Sequence, residues 1–507
     1  MKRTCKQFLA IALTLVLLTG LCLPVAGAAG TSRAKQIVEY GSFDVIGQFF
    51  DGEAFAFRSK SGDTKEVGLL DTAGHFTKIG NYEFVDWHIP YDMQNLLMVM
   101  DGRDQVFVIT KSGKTYDYGF FVEETPEYLY VINGDKMGVA DAQGNLLINC
   151  QYSAIIGSST GVFSAVLGTG TRSDPTRCGL VDKTGKEITG FIYEDIGLSS
   201  NGLTPVMRDG YWGFIDKTGK LVVDCIYSEV YAYTEGLAAV SIDIEAGKWS
   251  YITKEGKPLL DFIYDEAYVF QENRACVGLM DSDGFVQYGF IDGTGKRVID
   301  CIYDNASGFC EGLAVVGKVT AADEIEYGAI DPAGKVVIPI QYTYLEDFVD
   351  GVAVAYTKWT DETVECVCID KTGTPIHEGI YNYVPYRRHG FLVVLTEDGP
   401  DSYLLGLLDV HGTEMLSMSY EDLAIGDGGL ITTVKNGQYG VLQLLPGLAG
   451  DADGSGNITV MDMMAIKRHI LRKESLAGEN YLAGDADGDG AISVLDMMTV
   501  KRAILGK

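Results

Sequence analysis

Two stretches near the end of the chain, GDADGSGNITVMDMMAIKRHIL and GDADGDGAISVLDMMTVKRAIL, place oxygen-bearing residues at positions 1, 3, 5, 9 and 12 of a loop, with glycine at position 6. The first supplies Asp451, Asp453, Ser455, the Asn457 carbonyl, Thr459 and Asp462. The second supplies Asp485, Asp487, Asp489, the Ala491 carbonyl, Ser493 and Asp496. Hard oxygen donors at this spacing, with a glycine where the chain must turn sharply, suit the coordination shell of Ca2+. Two bound Ca2+ ions are therefore expected.

Each loop must be held by a helix that begins near its position 10. Met463, Met464, Ile466 and Ile470, and then Met497, Met498, Val500 and Ile504, recur at helical spacing and predict an apolar ridge in each copy. Ile458 and Ile492, at position 8, are expected to meet between the paired loops. No amphipathic helix is expected before either loop, and position 12 is Asp rather than a bidentate Glu. Each copy thus reads as half of an EF-hand.

The remaining reactive residues form no comparable set. His75, His88, His377, His389, His411 and His469 lack zinc spacing and are expected in exposed loops. An even number of cysteines, eight after Cys5 and Cys22 are set aside, fits disulfides in a secreted chain. Against this, Cys150, Cys225 and Cys301 share a repeat position that other units fill with Phe191, Phe262 and Ile340, which predicts a buried apolar slot. Cys366 and Cys368 stand two apart without a second pair, a weak metal signal. Glu229, Asp265, Glu266, Asp304, Glu346 and Asp347 fit solvated turns, and no carboxylate pair stands out as catalytic. Trp87, Trp212, Trp249 and Trp359 could stack on sugars, although Trp212 and Trp249 share the repeat phase and point to packing.

Before these loops the chain repeats itself. Taking Asp216 of GFIDKTGK as a phase mark, equivalents fall at Asp71, Thr110, Asp141, Asp182, Thr253, Asp292, Asp331, Asp370, Asp409 and Gln443, eleven marks in all. A glycine follows ten of them by three residues, and an aromatic follows at eleven, from Tyr82 to Tyr420. One unit reads as strands over 237–243, 249–253, 258–264 and 267–270, separated by turn signals such as TEG and KEG. A unit this small cannot bury its apolar face alone, so neighbours must stack in a line or a ring. Eleven units exceed the usual four to eight propeller blades, so an open superhelix or two successive arrays are also open.

Lys plus Arg 40 against Asp plus Glu 70 leave a formal charge of −30, which opposes nucleic acid and anionic lipid. Lys2, Arg3 and Lys6, the apolar run Phe8 to Leu23, and Ala26-Gly27-Ala28 read as a signal peptide over 1–28. No later stretch is long and apolar enough for a membrane span, and secretion is expected.

The units, with Trp212-Gly213 complete and Val67-Gly68, Met137-Gly138, Cys178-Gly179, Tyr288-Gly289 and Tyr327-Gly328 keeping the glycine, resemble the bacterial WG repeat family over 37–445. That resemblance implies a mainly β, β-propeller or β-solenoid array and little about activity. The duplicated loop and helix over 450–507 resemble a type I dockerin. Carried over position by position, the resemblance implies a cohesin module of a scaffoldin as partner. It implies contacts at Val460, Met461, Lys467 and Arg468, and at Val494, Leu495, Lys501 and Arg502. The function so implied is attachment of a recognition or spacer domain to a cellulosome-like extracellular assembly for polysaccharide catabolism, with polysaccharide a further candidate partner. The alternative is a glycoside hydrolase or lyase whose site lies in the repeats.

Overall fold

A computed structural model describes residues 34–505, apart from 51, 61–63, 87–95, 101–105, 112, 114, 117–119, 125–127, 142–144, 158–160, 172, 243–246, 361–362, 400–401, 446–451, 453–459, 473–475, 477 and 487–491. The expected signal peptide and Trp87 fall outside the described residues. From Ala34 onward the chain forms one compact unit.

Among the described residues the repeats become eleven antiparallel sheets of three or four strands. The seventh, counted along the chain, is representative: Glu266–Gln271, Arg274–Met280, Val286–Asp292 and Arg297–Tyr303 pair in sequence order. The expected third strand at 258–264 meets the sixth sheet through isolated bridges, Ile252 to Pro258 and Trp249 to Tyr264, instead of a continuous ladder. Pro258 has no N–H for the ladder, and Pro375 breaks the outer edge of the ninth sheet in the same way. The run at 267–270 is a strand, but it opens the next sheet instead of finishing its own.

The repeat signals have local causes. Asp216 Oδ1 accepts from Thr218 N at 2.8 Å, Thr218 Oγ1 at 2.6 Å and Lys220 N at 3.1 Å, and the Thr218 hydroxyl helps hold its carboxyl below the ordinary value. Gly219, at φ +82°, completes that hairpin. At the other hairpin of each unit, Glu235-Gly236, Glu311-Gly312 and Asp350-Gly351 place two successive residues at positive φ. This is the backbone of a type I′ turn, whose twist matches the strands it joins. Non-glycine residues resist that conformation, and the glutamates at this position, Glu272 of the seventh sheet included, gain a compensating contact. Glu235 accepts from Asn273 N, Glu272 from Gly312 N and Glu311 from Gly351 N, at 2.8, 2.8 and 2.9 Å. Each acid thereby latches its loop to the loop of the next sheet.

Small residues on the second strands, such as Ala238, Ala239, Ala275, Ala314, Ala353 and Ala355, are buried and let neighbouring sheets approach closely. Edge-to-face pairs cross successive seams: Phe214 to Tyr233 at 4.8 Å, Tyr251 to Phe270 at 5.0 Å and Phe290 to Phe309 at 4.9 Å. Phe290→Ala is expected to cost about 3–5 kcal/mol in denaturant unfolding, because Phe290 is fully buried in one of these seams. Ile302→Ala, at an exposed position on the same sheet, should change stability by less than about 0.5 kcal/mol.

The array closes on itself. Asp422–Ile425, Leu430–Lys435 and Gln438–Leu444 make the eleventh sheet, and its fourth strand is Ala34–Val38 from the beginning of the array. Val38, Leu430 and Val441 then pack against Ile46, Phe49, Ala54 and Leu70 of the first sheet. Thr432 Oγ1 donates to Gly47 O at 2.8 Å across the same seam. Joined at its two ends in this way, the array fits one ring of eleven sheets among the described residues better than the open superhelix or the double array.

All eight described cysteines are free. The slot of Cys150, Cys225 and Cys301 is half-buried, less than the apolar pattern predicts, and each sulfur lies 3.7 to 3.8 Å from a carbonyl of an inner strand.

After the ring the described residues form three helices, α1 (Val460–Ile470), α2 (Gly478–Gly484) and α3 (Val494–Ile504). Helix α2 is a correction: it directly precedes the second loop, where no helix was expected. Its length of seven residues and its single strongly apolar pair, Tyr481-Leu482, give too little periodicity to read from sequence.

Candidate calcium and partner-docking site

Helices α1 and α3 start at equivalent points of the two copies. Ile466 and Val500 are both buried, with Met463, Ile470, Ile492 and Met497 packed around them, so the copies share one small core. At the start of α3, the Ser493 hydroxyl accepts from Leu495 N at 3.0 Å while Ser493 N donates to Asp496 Oδ2 at 2.6 Å. The two contacts form a capping box that satisfies donors the helix start would otherwise orphan.

Asp462 and Asp496, at loop position 12 of each copy, are both 0 % exposed. A carboxylate fully removed from water needs hydrogen bonds or a cation to offset its desolvation. Together with the oxygen-bearing residues that the sequence spaces through each loop, a carboxylate at these two equivalent positions suits a hard divalent ion. Of the other expected ligands, Asp485 and Ser493 are half-buried. Asp451, Asp453, Ser455, Asn457, Thr459, Asp487, Asp489 and Ala491 lie outside the described residues. Among the described residues, no group of three or more His, Cys, Asp or Glu gathers as a metal site.

On the outer surface the copies match. Val460 and Val494 are each 60 % exposed, and Met461 and Leu495 are 52 % and 56 % exposed. About two helical turns further on, Lys467, Lys501 and Arg502 are exposed and Arg468 is half-buried. The same apolar-plus-basic patch is therefore displayed twice.

The family model described as Dockerin type I domain matches residues 449–505, and that of the WG containing repeat matches 179–212, 212–249, 249–279, 288–318 and 327–356. The chain is a WG repeat protein with a C-terminal type I dockerin. Among solved structures, it is similar to the computationally designed Ika8 protein, at 16% identity over 64% of this chain and 95% of that one, with a TM-score of 0.30. It is similar to PorZ of Porphyromonas gingivalis, at 10% identity over 83% and 88% of the two chains, TM-score 0.20. The WD40 beta propeller domain of Doa1 matches at 12% identity over 49% and 92%, TM-score 0.22. No curated protein sequence matches the chain.

Type I dockerins bind calcium and pair with cohesins, so the WG repeat protein carries a cohesin-type attachment module. No helix among its described residues is long and apolar enough to cross a membrane.

Several residues of the repeats are more engaged than their sequence positions suggest. Asp265 pairs with Lys248 at 2.6 Å and accepts from Met280 N at 2.9 Å. Asp304 accepts from Gln287 Nε2 at 2.7 Å and Val319 N at 2.8 Å, and Glu346 pairs with Arg387 at 2.6 Å. Glu266 takes the hydroxyls of Tyr268 and Tyr288, and Asp347 takes that of Ser307. These carboxylates tie strands and sheets together, whereas Glu229 is exposed as expected. Trp212 and Trp249 are half-buried in sheet seams. Trp359 is 54 % exposed beside Tyr344 and Tyr356. Burial pushes the thiols of Cys366 and Cys368 up to about 12, which disfavours the thiolate a metal would need.

Three histidines are likewise bound instead of loose in loops. His377 Nδ1 accepts from Gly379 N at 2.9 Å and lies 2.7 Å from the Tyr381 hydroxyl. His389 reaches Asp427, and His469 Nδ1 accepts from Leu476 N at 3.0 Å. Burial lowers the His469 pKa, and the accepted bond also needs the neutral ring. The folded protein therefore binds this proton less readily than the unfolded chain. The contribution is complete above the unfolded value of about 6.5 and is lost as pH falls through the lower folded value. Dockerin melting, followed by circular dichroism between about pH 7.5 and 5.5, should drop with acid in the native chain. The drop should shrink in His469→Asn.

Proposed function

We propose that the chain is a secreted protein whose dockerin holds one Ca2+ in each loop and plugs into a cohesin module of a scaffoldin. The ring then rides on a cellulosome-like extracellular assembly engaged in polysaccharide catabolism, as a recognition or spacer body. The observation that carries this reading is the pairing of two fully buried position-12 carboxylates, Asp462 and Asp496, with two equally exposed apolar pairs, Val460-Met461 and Val494-Leu495. An exposed apolar pair beside basic residues suits a protein contact. When supplied, Ca2+ would neutralise the buried acids, and because the unfolded chain lacks the cages, the ion stabilises only the folded docking face.

The residues divide the work. Asp462 and Asp496 anchor each loop to its helix, Ser493 fixes the start of α3, and Ile466 with Val500 hold the copies at a constant separation. The ring is read as non-catalytic because Asp265, Glu266, Asp304 and Glu346 serve inter-strand contacts. Capture of the full chain on a panel of immobilised cohesins, with Ca2+ and with EDTA, tests the reading. Retention by at least one cohesin in Ca2+ and release by EDTA are expected, and retention by none or insensitivity to EDTA would overturn it.

A further inference from the structure

Helix α2 lies where the repeat pattern breaks. The loop joining the first and second strands carries Asn201-Gly202, Glu235-Gly236, Glu311-Gly312 and Asp350-Gly351 in the fifth, sixth, eighth and ninth sheets. In the tenth the pair is His389-Gly390, and in the eleventh it is Gly428-Gly429. The latch also reverses: the acid is now Asp427 of the following sheet, 3.1 Å from Arg388 Nη2 and 3.2 Å from His389 Nε2. Both changes adjoin α2.

The Tyr481 ring stacks on His389 at 5.3 Å and 20°, and meets the edge of His469 from α1 at 5.9 Å and 70°. It is thus held between the ring and the dockerin, and burial raises its hydroxyl pKa. Next to it, Leu482 is 5 % exposed and enters the cluster that joins the tenth and eleventh sheets, with Leu407, Ile425, Leu442 and Leu444. Gly429 makes room for it: a Cβ there would stand 2.5 Å from Leu482 Cδ2, and φ is +73°. A glutamate in place of His389, as at Glu235, Glu272 and Glu311 of the sixth to eighth sheets, would set an acid beside Asp427 and remove the ring under Tyr481.

We infer that α2 is a mount: Tyr481 and Leu482 clamp the dockerin onto the loops of the tenth and eleventh sheets, so that α1 and α3 are presented in one fixed orientation to the ring. The use of that orientation in cohesin docking rests on the function proposed above, and the clamp itself does not. A seam of buried apolar side chains with a stacked ring resists independent movement, unlike a flexible tether. The two changed loops are the surface, and the chain's own helix is the partner.

Hydrogen exchange of the full chain in Ca2+, read by peptide, tests the clamp. His389→Glu introduces the acid that this loop carries elsewhere and should speed exchange over 478–484 roughly ten-fold while the fifth to eighth sheets stay unchanged. Tyr481→Ala, which leaves the ring sequence intact, should speed exchange over 387–391 and 426–430 similarly. Both variants should keep native cohesin retention, so loss of the clamp and loss of docking are separable. If exchange over 478–484 ignores His389→Glu, or the two loops ignore Tyr481→Ala, the dockerin is not mounted. If His389→Glu disrupts the tenth sheet, the Tyr481→Ala result decides alone.

Discussion

Asp496→Ala should weaken cohesin capture by about a hundred-fold or more and melt α1 and α3 together. The carboxylate is fully buried and accepts from Ser493 N, so its removal strands a backbone donor and deletes the proposed anchor of the second calcium loop. Because Ile466 and Val500 share one core, failure of the second copy removes the support of the first. Asp496→Asn separates the contributions. Its side-chain oxygen can still accept from Ser493 N, a cap worth about 1 kcal/mol, but the negative charge is gone. Helix content without Ca2+ should then change little, while capture falls nearly as far as in Asp496→Ala. Native capture by Asp496→Asn would mean that Asp496 acts as a helix cap and nothing more. Circular dichroism with and without Ca2+, alongside cohesin titration, gives both readouts.

Deletion of residues 29–38 should open the ring. Ala34–Val38 is the strand that ties the beginning of the array to its end, and it pairs with Gln438–Leu444 at Ala34, Lys35, Gln36 and Val38. Each ladder hydrogen bond contributes about 1 kcal/mol net, and burying a valine such as Val38 about 1.5–3 kcal/mol. The loss therefore reaches several kcal/mol, a large share of ordinary domain stability. It also bares Gln438–Leu444 as an edge strand, which invites pairing between chains. Lower stability in urea and a concentration-dependent dimer on size exclusion are expected. Unchanged stability with a monomeric profile would show that the seam is held by the side chains of the first sheet alone. Val38→Ala, which keeps the ladder, should cost only about 1–2 kcal/mol.

The repeat architecture was legible because its signals are local and physical. The phase aspartates bond their own turns, the following glycines need positive φ, and the aromatic eleven residues on fills a buried slot in most units, as at Tyr227, Tyr264 and Tyr303. The ring was not legible, since a strand at Ala34–Val38 that completes a sheet ending at Leu444 leaves no mark in nearest-neighbour spacing. Nor were the latches: TEG reads as a turn, and only the assembled ring brings Glu235 against Asn273. In the C-terminal module, the loop and helix pattern predicted the two copies, and the resemblance to a type I dockerin singled out the pairs that stand exposed. Helix α2 escaped because its apolar residues answer to the tenth and eleventh sheets, whose loops had already departed from the repeat at His389 and Gly428. Read together, those departures were the available signal.

Calorimetric titration of Ca2+ into the metal-free full chain bears most directly on whether the two loops shape the docking face. Uptake of two ions, together with a gain of cohesin retention over the same range, is the predicted result. A chain that takes up no Ca2+, or that binds a cohesin equally well before any is added, would contradict it.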